Sequence, residues 1–193
     1  RRQDWEKALG VAGWCAIGWP KQYGGRDADL AQQVIFAEEY ARARAPGRLG
    51  HMGVELAGPT ILHFGSEVQK ERFLPKMSAG EEMWCQGYSE PGAGSDLSNV
   101  RTKASLEDGP NGKQWVIEGQ KTWTSLAQFA DWCFVICRTV PGTKGRDGLS
   151  YLLVPMDQSG VEIRPIRQIT GEGDFNEVFF NGAVTAEENV VGE

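Results

Sequence analysis

Two short stretches of the chain hold residue types at spacings that could do chemistry. Trp84-Cys85-Gln86-Gly87-Tyr88-Ser89 has the composition of a strand and enters Glu90-Pro91-Gly92-Ala93-Gly94-Ser95-Asp96. Pro91 prevents the strand from continuing, while Gly92 and Gly94 permit positive φ and leave backbone N–H groups uncovered by side chains. With the hydroxyls of Ser89 and Ser95 at its two ends, such a loop can hold an anion, including the phosphate of a cofactor, through main-chain and side-chain donors. The same composition also describes a plain turn. In the second stretch, Gly119-Gln120-Lys121-Thr122-Trp123-Thr124-Ser125, a large aromatic stands beside hydroxyls at the end of a predicted strand. Trp123 could pack on a planar ring, and it equally fits a tryptophan of the core.

The elements that must position these residues change character along the chain. Asp29 is suited to cap a helix over residues 30–41, where apolar residues fall at helical spacing. That helix should run into Arg42-Ala43-Arg44, whose charges suit its C-terminal dipole, and stop at Pro46-Gly47. Ser66-Glu67-Val68-Gln69 has the form of a capping box for a short helix that Pro75 closes. Beyond residue 82 the pattern turns to β-branched and aromatic runs, at residues 114–118, 132–137, 149–154 and 161–164. Residues 177–182 supply another strand, with Asn181-Gly182 leading into a turn. Short strands at regular intervals without crossover helices point to an antiparallel barrel or sandwich. The expected fold class is α+β: a partial N-terminal helical domain over residues 1–82, then an antiparallel β-barrel middle domain over residues 83–193. Residues 1–12 form a short amphipathic helix with no cap before it, and Val190-Val191-Gly192-Glu193 stops where an element would begin, so the chain reads as a fragment.

Composition narrows the partners. At 193 residues, 40% apolar and 24% charged, the chain is ordinary for a globular protein. It has no apolar run of membrane-spanning length and no signal-peptide start, so the expected location is the cytoplasm. The net charge of −6 argues against nucleic acid. It is unevenly spread: residues 1–80 hold 11 basic and 9 acidic residues, and residues 81–193 hold 9 and 17. Cys15, Cys85, Cys133 and Cys137 read as reduced, mostly buried thiols, with Cys133 and Cys137 on one side of their strand if it is regular. His51 and His63, on predicted helices with no second ligand nearby, do not make a metal site, and Glu187-Glu188 reads as a solvated turn.

Taken together, the two stretches resemble the acyl-CoA dehydrogenase family, whose middle domain carries a hydroxyl residue followed by Glu-Pro-x-Ala-Gly-Ser-Asp and then a Gly-x-Lys-x-Trp-hydroxyl strand. Ser89 to Asp96 match the first and Gly119 to Ser125 the second, while Gly18-Trp19-Pro20-Lys21-Gln22-Tyr23-Gly24-Gly25 is similar to the family's connection between helices. The resemblance implies FAD as cofactor. It assigns Gln86, Gly87, Tyr88 and Ser89 to the flavin ring, and Ser95 to the pyrophosphate region and the pantetheine arm of the substrate. Trp123 would cover the flavin face away from the substrate, with Thr124 beside it and Ser125 near flavin N5. Ser89 and Ser125 stand where many members have Thr, and each keeps the hydroxyl.

The family reaction removes a proton next to the thioester carbonyl of an acyl-CoA and a hydride from the following carbon, giving the 2-enoyl thioester. In relatives the base is a Glu of a C-terminal helical bundle, so the resemblance places it beyond Glu193 and assigns no catalytic residue here. It further implies electron-transfer flavoprotein as acceptor and a homo- or hetero-tetramer. Because the flavin and coenzyme A are anions and the β part is acidic, residues 1–193 alone are expected to bind flavin weakly. Three alternatives stand beside the dehydrogenase: an acyl-CoA oxidase or other flavin oxidase on the same scaffold, a non-catalytic partner subunit, and a β-barrel binding module.

Overall fold

Helices fill the first part of the chain and a sheet the rest. The computed structural model, which describes residues 2–192, divides into two units between Met83 and Trp84. The helical unit contains α1 (Arg2–Val11), α2 (Leu30–Arg42), α3 (Gly58–Phe64) and α4 (Glu67–Ser78), with a π-helical turn at Met52–Ala57 leading into α3. His51 lies at the start of that turn and His63 in α3.

Side chains set where α2 and α4 begin. The Asp29 carboxylate accepts from Gln32 N at 2.9 Å while Gln32 Oε1 accepts from Asp29 N at 3.0 Å; Ser66 and Gln69 repeat the arrangement at 3.2 and 3.0 Å. Pro75 does not close α4, contrary to expectation. The proline removes one intrahelical bond, yet Leu74 and Met77 are buried on either side of it, and Ala79 N donates to Pro75 O at 3.0 Å. Packing holds the last turn against the lost bond. The period of α2 was legible but the depth of its burial was not: Leu30, Val34 and Ile35 are 76%, 50% and 59% exposed.

Eight strands make the second unit: β1 (Trp84–Gly87), β2 (Lys103–Gly109), β3 (Gly112–Ser125), β4 (Trp132–Arg138), β5 (Leu149–Pro155), β6 (Val161–Ile166), β7 (Phe175–Ala186) and β8 (Val190–Val191). They form one sheet in the order β6-β7-β3-β2-β4-β5-β8, with β1 paired to β4 off this path. The expected antiparallel barrel is corrected on two counts. The ladder is open, since no pairing among the described residues joins β6 to β8, and β1 runs parallel to β4. Strand β2 also meets β4 in parallel, at a single position, Lys103 opposite Arg138, which leaves the rest of that β4 edge to β1.

Strand β2 departs from the sequence expectation because its residues are mostly exposed and only Ala104 is buried. The turn expected after Asn181-Gly182 is instead a bulge. Glu118 pairs with Asn181 and Ile117 with Ala183, so Gly182, at φ 75°, is the extra residue and β7 continues to Ala186. One sheet face buries Cys85, Ile117, Cys133, Cys137, Leu152, Val178 and Phe180 in a continuous apolar cluster. Burial pushes the Cys137 thiol up to about 12 and the Cys85 thiol well above its ordinary range, as befits inert packing residues.

Candidate functional site

The two stretches singled out by their residue types meet in the sheet unit. Thr122 N donates to Ser89 O at 2.9 Å, which lays the end of the β1 segment against the last residues of β3. Tyr88 stands edge-on to Phe134 with ring centroids 5.7 Å apart, and Phe134 stacks on Tyr151 at 5.6 Å. Burial raises the Tyr88 phenol above its ordinary range, so the ring stays neutral and its oxygen can donate.

Near its end β3 carries a second bulge. Lys121 pairs with Val178 and Thr124 with Asn176, so Thr122 and Trp123 together oppose Glu177. Trp123 adopts φ 60°, a left-handed conformation costing a bulky L-residue about 1–2 kcal/mol. Its indole is nonetheless 59% exposed, with Phe175 edge-on at 6.1 Å and 80°. The core reading of Trp123 is therefore excluded, because a strained backbone here presents a broad ring outward instead of packing it. Ser125 is half-buried beside it, opposite Phe175. Thr124 differs: the residue is 1% exposed and its hydroxyl has no hydrogen-bond partner among the described residues, while Asn176 Nδ2 donates to its carbonyl at 3.1 Å. Thr124 as a whole is thus buried between the more exposed Trp123 and Ser125.

The glycine-rich loop is closed by its own first residue. Glu90 N donates to Ala93 O at 2.7 Å and Ala93 N to Glu90 O at 3.1 Å, making a tight turn through Pro91-Gly92. The Glu90 carboxylate then accepts Arg101 N at 2.7 Å and Thr102 N at 2.9 Å. Ser95, Gly92 and Gly94 are exposed, and a Cβ on either glycine would meet nothing within 4 Å, so this backbone borders open space. Gly87 is another matter. A Cβ there would lie 2.9 Å from Cys133 Sγ and 3.1 Å from Val135, so this glycine lets β1 pack closely on β4. Gln86, half-buried, pairs with Phe134 in the same ladder.

Lys121 and Glu90, absent from the expected site, form its most buried polar contact, at 2.8 Å with the ammonium fully buried. Burial pushes the Glu90 carboxyl up, but the Lys121 ammonium and the donated amide bonds outweigh this and hold it below the ordinary carboxylate range. Burial likewise draws Lys121 below its usual range, and Glu90 limits the fall. The signal was present in the sequence as a Lys two residues before Trp123 and a Glu opening the loop, but nothing in their spacing tied one to the other. A cavity of about 540 Å³ lies elsewhere, within the helical unit, lined by Ile17, Trp19, Phe36, Tyr40, Arg48 and Val54 and by none of these residues. No described helix is long and apolar enough to cross a membrane.

These residues suit a planar, hydrogen-bonding cofactor that also carries phosphate. They offer an exposed ring fixed by the backbone, neutral hydroxyl donors at Ser89, Ser95 and Ser125, and an uncovered glycine backbone.

Comparison with known proteins agrees with this chemistry. Residues 85–183 match the acyl-CoA dehydrogenase middle domain and residues 2–81 the acyl-CoA dehydrogenase N-terminal domain. The chain is 55% identical over its whole length to acyl-CoA dehydrogenase IpdE1 of Mycolicibacterium smegmatis, covering 50% of that protein. Among solved structures it is similar to the ChsE4-ChsE5 complex from Mycobacterium tuberculosis, at 39% identity and a TM-score of 0.87, over 99% of this chain and 48% of that one. It is also similar to the Tcur3481-Tcur3483 steroid acyl-CoA dehydrogenase, at 36% identity and a TM-score of 0.88, over 100% of this chain and 48% of that one. The chain thus spans about half the length of the curated relatives it matches, and with both of its units matched it belongs to the acyl-CoA dehydrogenase family.

Proposed function

We propose that this chain holds FAD and part of the substrate site of an enzyme that converts an acyl-CoA thioester to its 2-enoyl-CoA. The observation that carries this reading is Trp123, whose indole is held outward at φ 60° beside Ser125 in the strand that closes against Ser89. A bound flavin would supply the redox step by accepting the hydride. The indole of Trp123 would limit one face of the ring and exclude water from it. The Ser125 and Ser89 hydroxyls would donate to its edge, and Thr124, buried between Trp123 and Ser125, would hold them in place. Ser95, on the open loop, would serve the pyrophosphate and the pantetheine arm. The general base is assigned to no residue of this chain and belongs to the remainder of the protein or to a partner subunit.

A second reading has specific support. The likeness to ChsE4-ChsE5, a complex of two differently named chains, favours assembly with a different acyl-CoA dehydrogenase chain, in which one subunit could hold flavin and the other complete the catalytic residues. Electron-transfer flavoprotein is the proposed acceptor. The test is anaerobic mixing of the full-length protein, alone and with its co-expressed partner, with straight-chain, branched and steroid-derived acyl-CoA thioesters. Bleaching of the flavin band by at least one thioester is expected. Absence of flavin from both preparations would refute the cofactor, and flavin that no thioester bleaches would refute the reaction. Rapid reoxidation by oxygen would favour the oxidase alternative.

A further inference from the structure

Every proton of the Lys121 ammonium has an acceptor, and the acceptors come from two segments: Tyr88 O at 3.1 Å and Glu90 Oε1 at 2.8 Å after β1, and Ile136 O at 2.7 Å in β4. Glu90 is equally saturated, since it also receives Arg101 N and Thr102 N from the far end of its own loop. Gly119, two residues before Lys121 and at φ 151°, is what lets that far end in. A Cβ at Gly119 would lie 2.5 Å from Thr102 Oγ1 and 2.7 Å from Thr102 Cα. Each part of Gly119-x-Lys121-x-Trp123 therefore has its own task. The glycine admits Thr102, the lysine fixes the loop's closing carboxylate, and the tryptophan sits on the bulge that follows.

We infer that Lys121 and Glu90 are a positioning pair. They set the glycine-rich loop, the end of β1 and the Trp123 bulge in one fixed relation before any cofactor arrives. This inference rests on the flavin reading above. Stability alone does not account for the pair, because apolar side chains of similar volume commonly serve a buried site as well as an ion pair. An apolar pair, however, cannot gather Tyr88 O, Ile136 O and the amides of residues 101 and 102 on one point, and the residues assigned to the flavin stand directly beside those contacts. Arg138 adds a second tie to the same loop, donating to Ser98 O at 3.2 Å and Val100 O at 3.4 Å.

The experiment compares the full-length wild-type protein, with its co-expressed partner where flavin requires it, with the double variant Glu90→Gln/Lys121→Met, which leaves neither charge unpaired. Three quantities are read: melting of the flavin-free protein, the flavin Kd, and the shape of the visible flavin band at saturation. The expected result is a folded double variant whose Kd rises about tenfold or more and whose band loses its wild-type shape. Wild-type Kd and band shape in a folded double variant would overturn the inference. If the double variant does not fold, amide exchange in the flavin-free wild-type protein decides. The Arg101 and Thr102 amides should exchange about a hundredfold or more slower than free peptide, and fast exchange that slows only on adding flavin would overturn it. If the wild-type protein takes up no flavin, the cofactor reading fails first and the positioning role falls with it.

Discussion

At the scale of single residues, Trp123 separates a structural cost from a functional gain. A left-handed φ of 60° suits glycine and penalises every residue with a Cβ, so Trp123→Gly should melt above Trp123→Ala in the flavin-free protein. The difference should be about 1 kcal/mol in stability. Flavin affinity should fall in both variants, because both lose the ring. Equal melting of the two would show that the bulge relaxes without glycine, and unchanged affinity would remove Trp123 from the site. Ser125 makes a smaller claim. A hydroxyl donor worth ~0.5–1.5 kcal/mol more to reduced than to oxidised flavin moves a two-electron potential by only about 10–30 mV. Ser125→Ala in the full-length protein should therefore keep its flavin and shift its midpoint potential within that range, as read by spectroelectrochemistry. Complete loss of flavin would contradict a tuning role.

Elements were legible where local chemistry decides them and opaque where contacts distant in sequence do. The caps at Asp29 and Ser66 lie within three residues of the groups they satisfy, so both helix starts could be read directly. Strands β3, β4 and β5 carry runs of branched and aromatic residues buried in the sheet, and these too were plain. Strand β2 is not legible because a mostly exposed, polar strand differs little from a loop until its partner is known. The bulges at Gly182 and Trp123, the run of α4 past Pro75 and the parallel seat of β1 all depend on partners far along the chain. The same limit applied to the candidate site. Its exposed members were found from their types, whereas Lys121 and Glu90, 31 residues apart, were found only from their contact. That contact predicts a pH response. The Glu90 carboxyl is held below its unfolded range, so its stabilising effect is fully present above an unfolded pKa of about 4.3 and is lost as pH falls through the lower folded value. Melting temperature should drop more steeply below about pH 4 in the wild-type protein than in Glu90→Gln/Lys121→Met. Parallel acid profiles would mean that the pair contributes nothing to the pH dependence.

At the scale of the whole molecule, charge sets a limit on what these residues can do by themselves. The flavin pyrophosphate and coenzyme A are both anions, yet the chain is −6 overall, with 9 basic against 17 acidic residues from position 81 onward. The donors proposed for the cofactor are hydroxyls and main-chain N–H groups, and Lys121, in the same strand as Trp123, is fully buried and neutralised by Glu90. Arg138, also in the sheet unit, is committed to the carbonyls of Ser98, Val100, Gly145 and Asp147. Under the proposed reading, orientation is therefore built into this chain more completely than affinity, and cations from the rest of the protein or from a second subunit complete the anion site. Residues 1–193 expressed alone should consequently bind FAD weakly, because their net negative charge repels the anion. Raising the ionic strength screens like charges, so binding by the isolated residues should improve modestly with added salt. In the assembled protein, where attraction replaces repulsion, added salt should weaken it. Flavin titrations at low and high salt on both preparations distinguish the two signs. A stoichiometric yellow complex purified from residues 1–193 alone would show that the neutral donors suffice and that the missing charge was not needed.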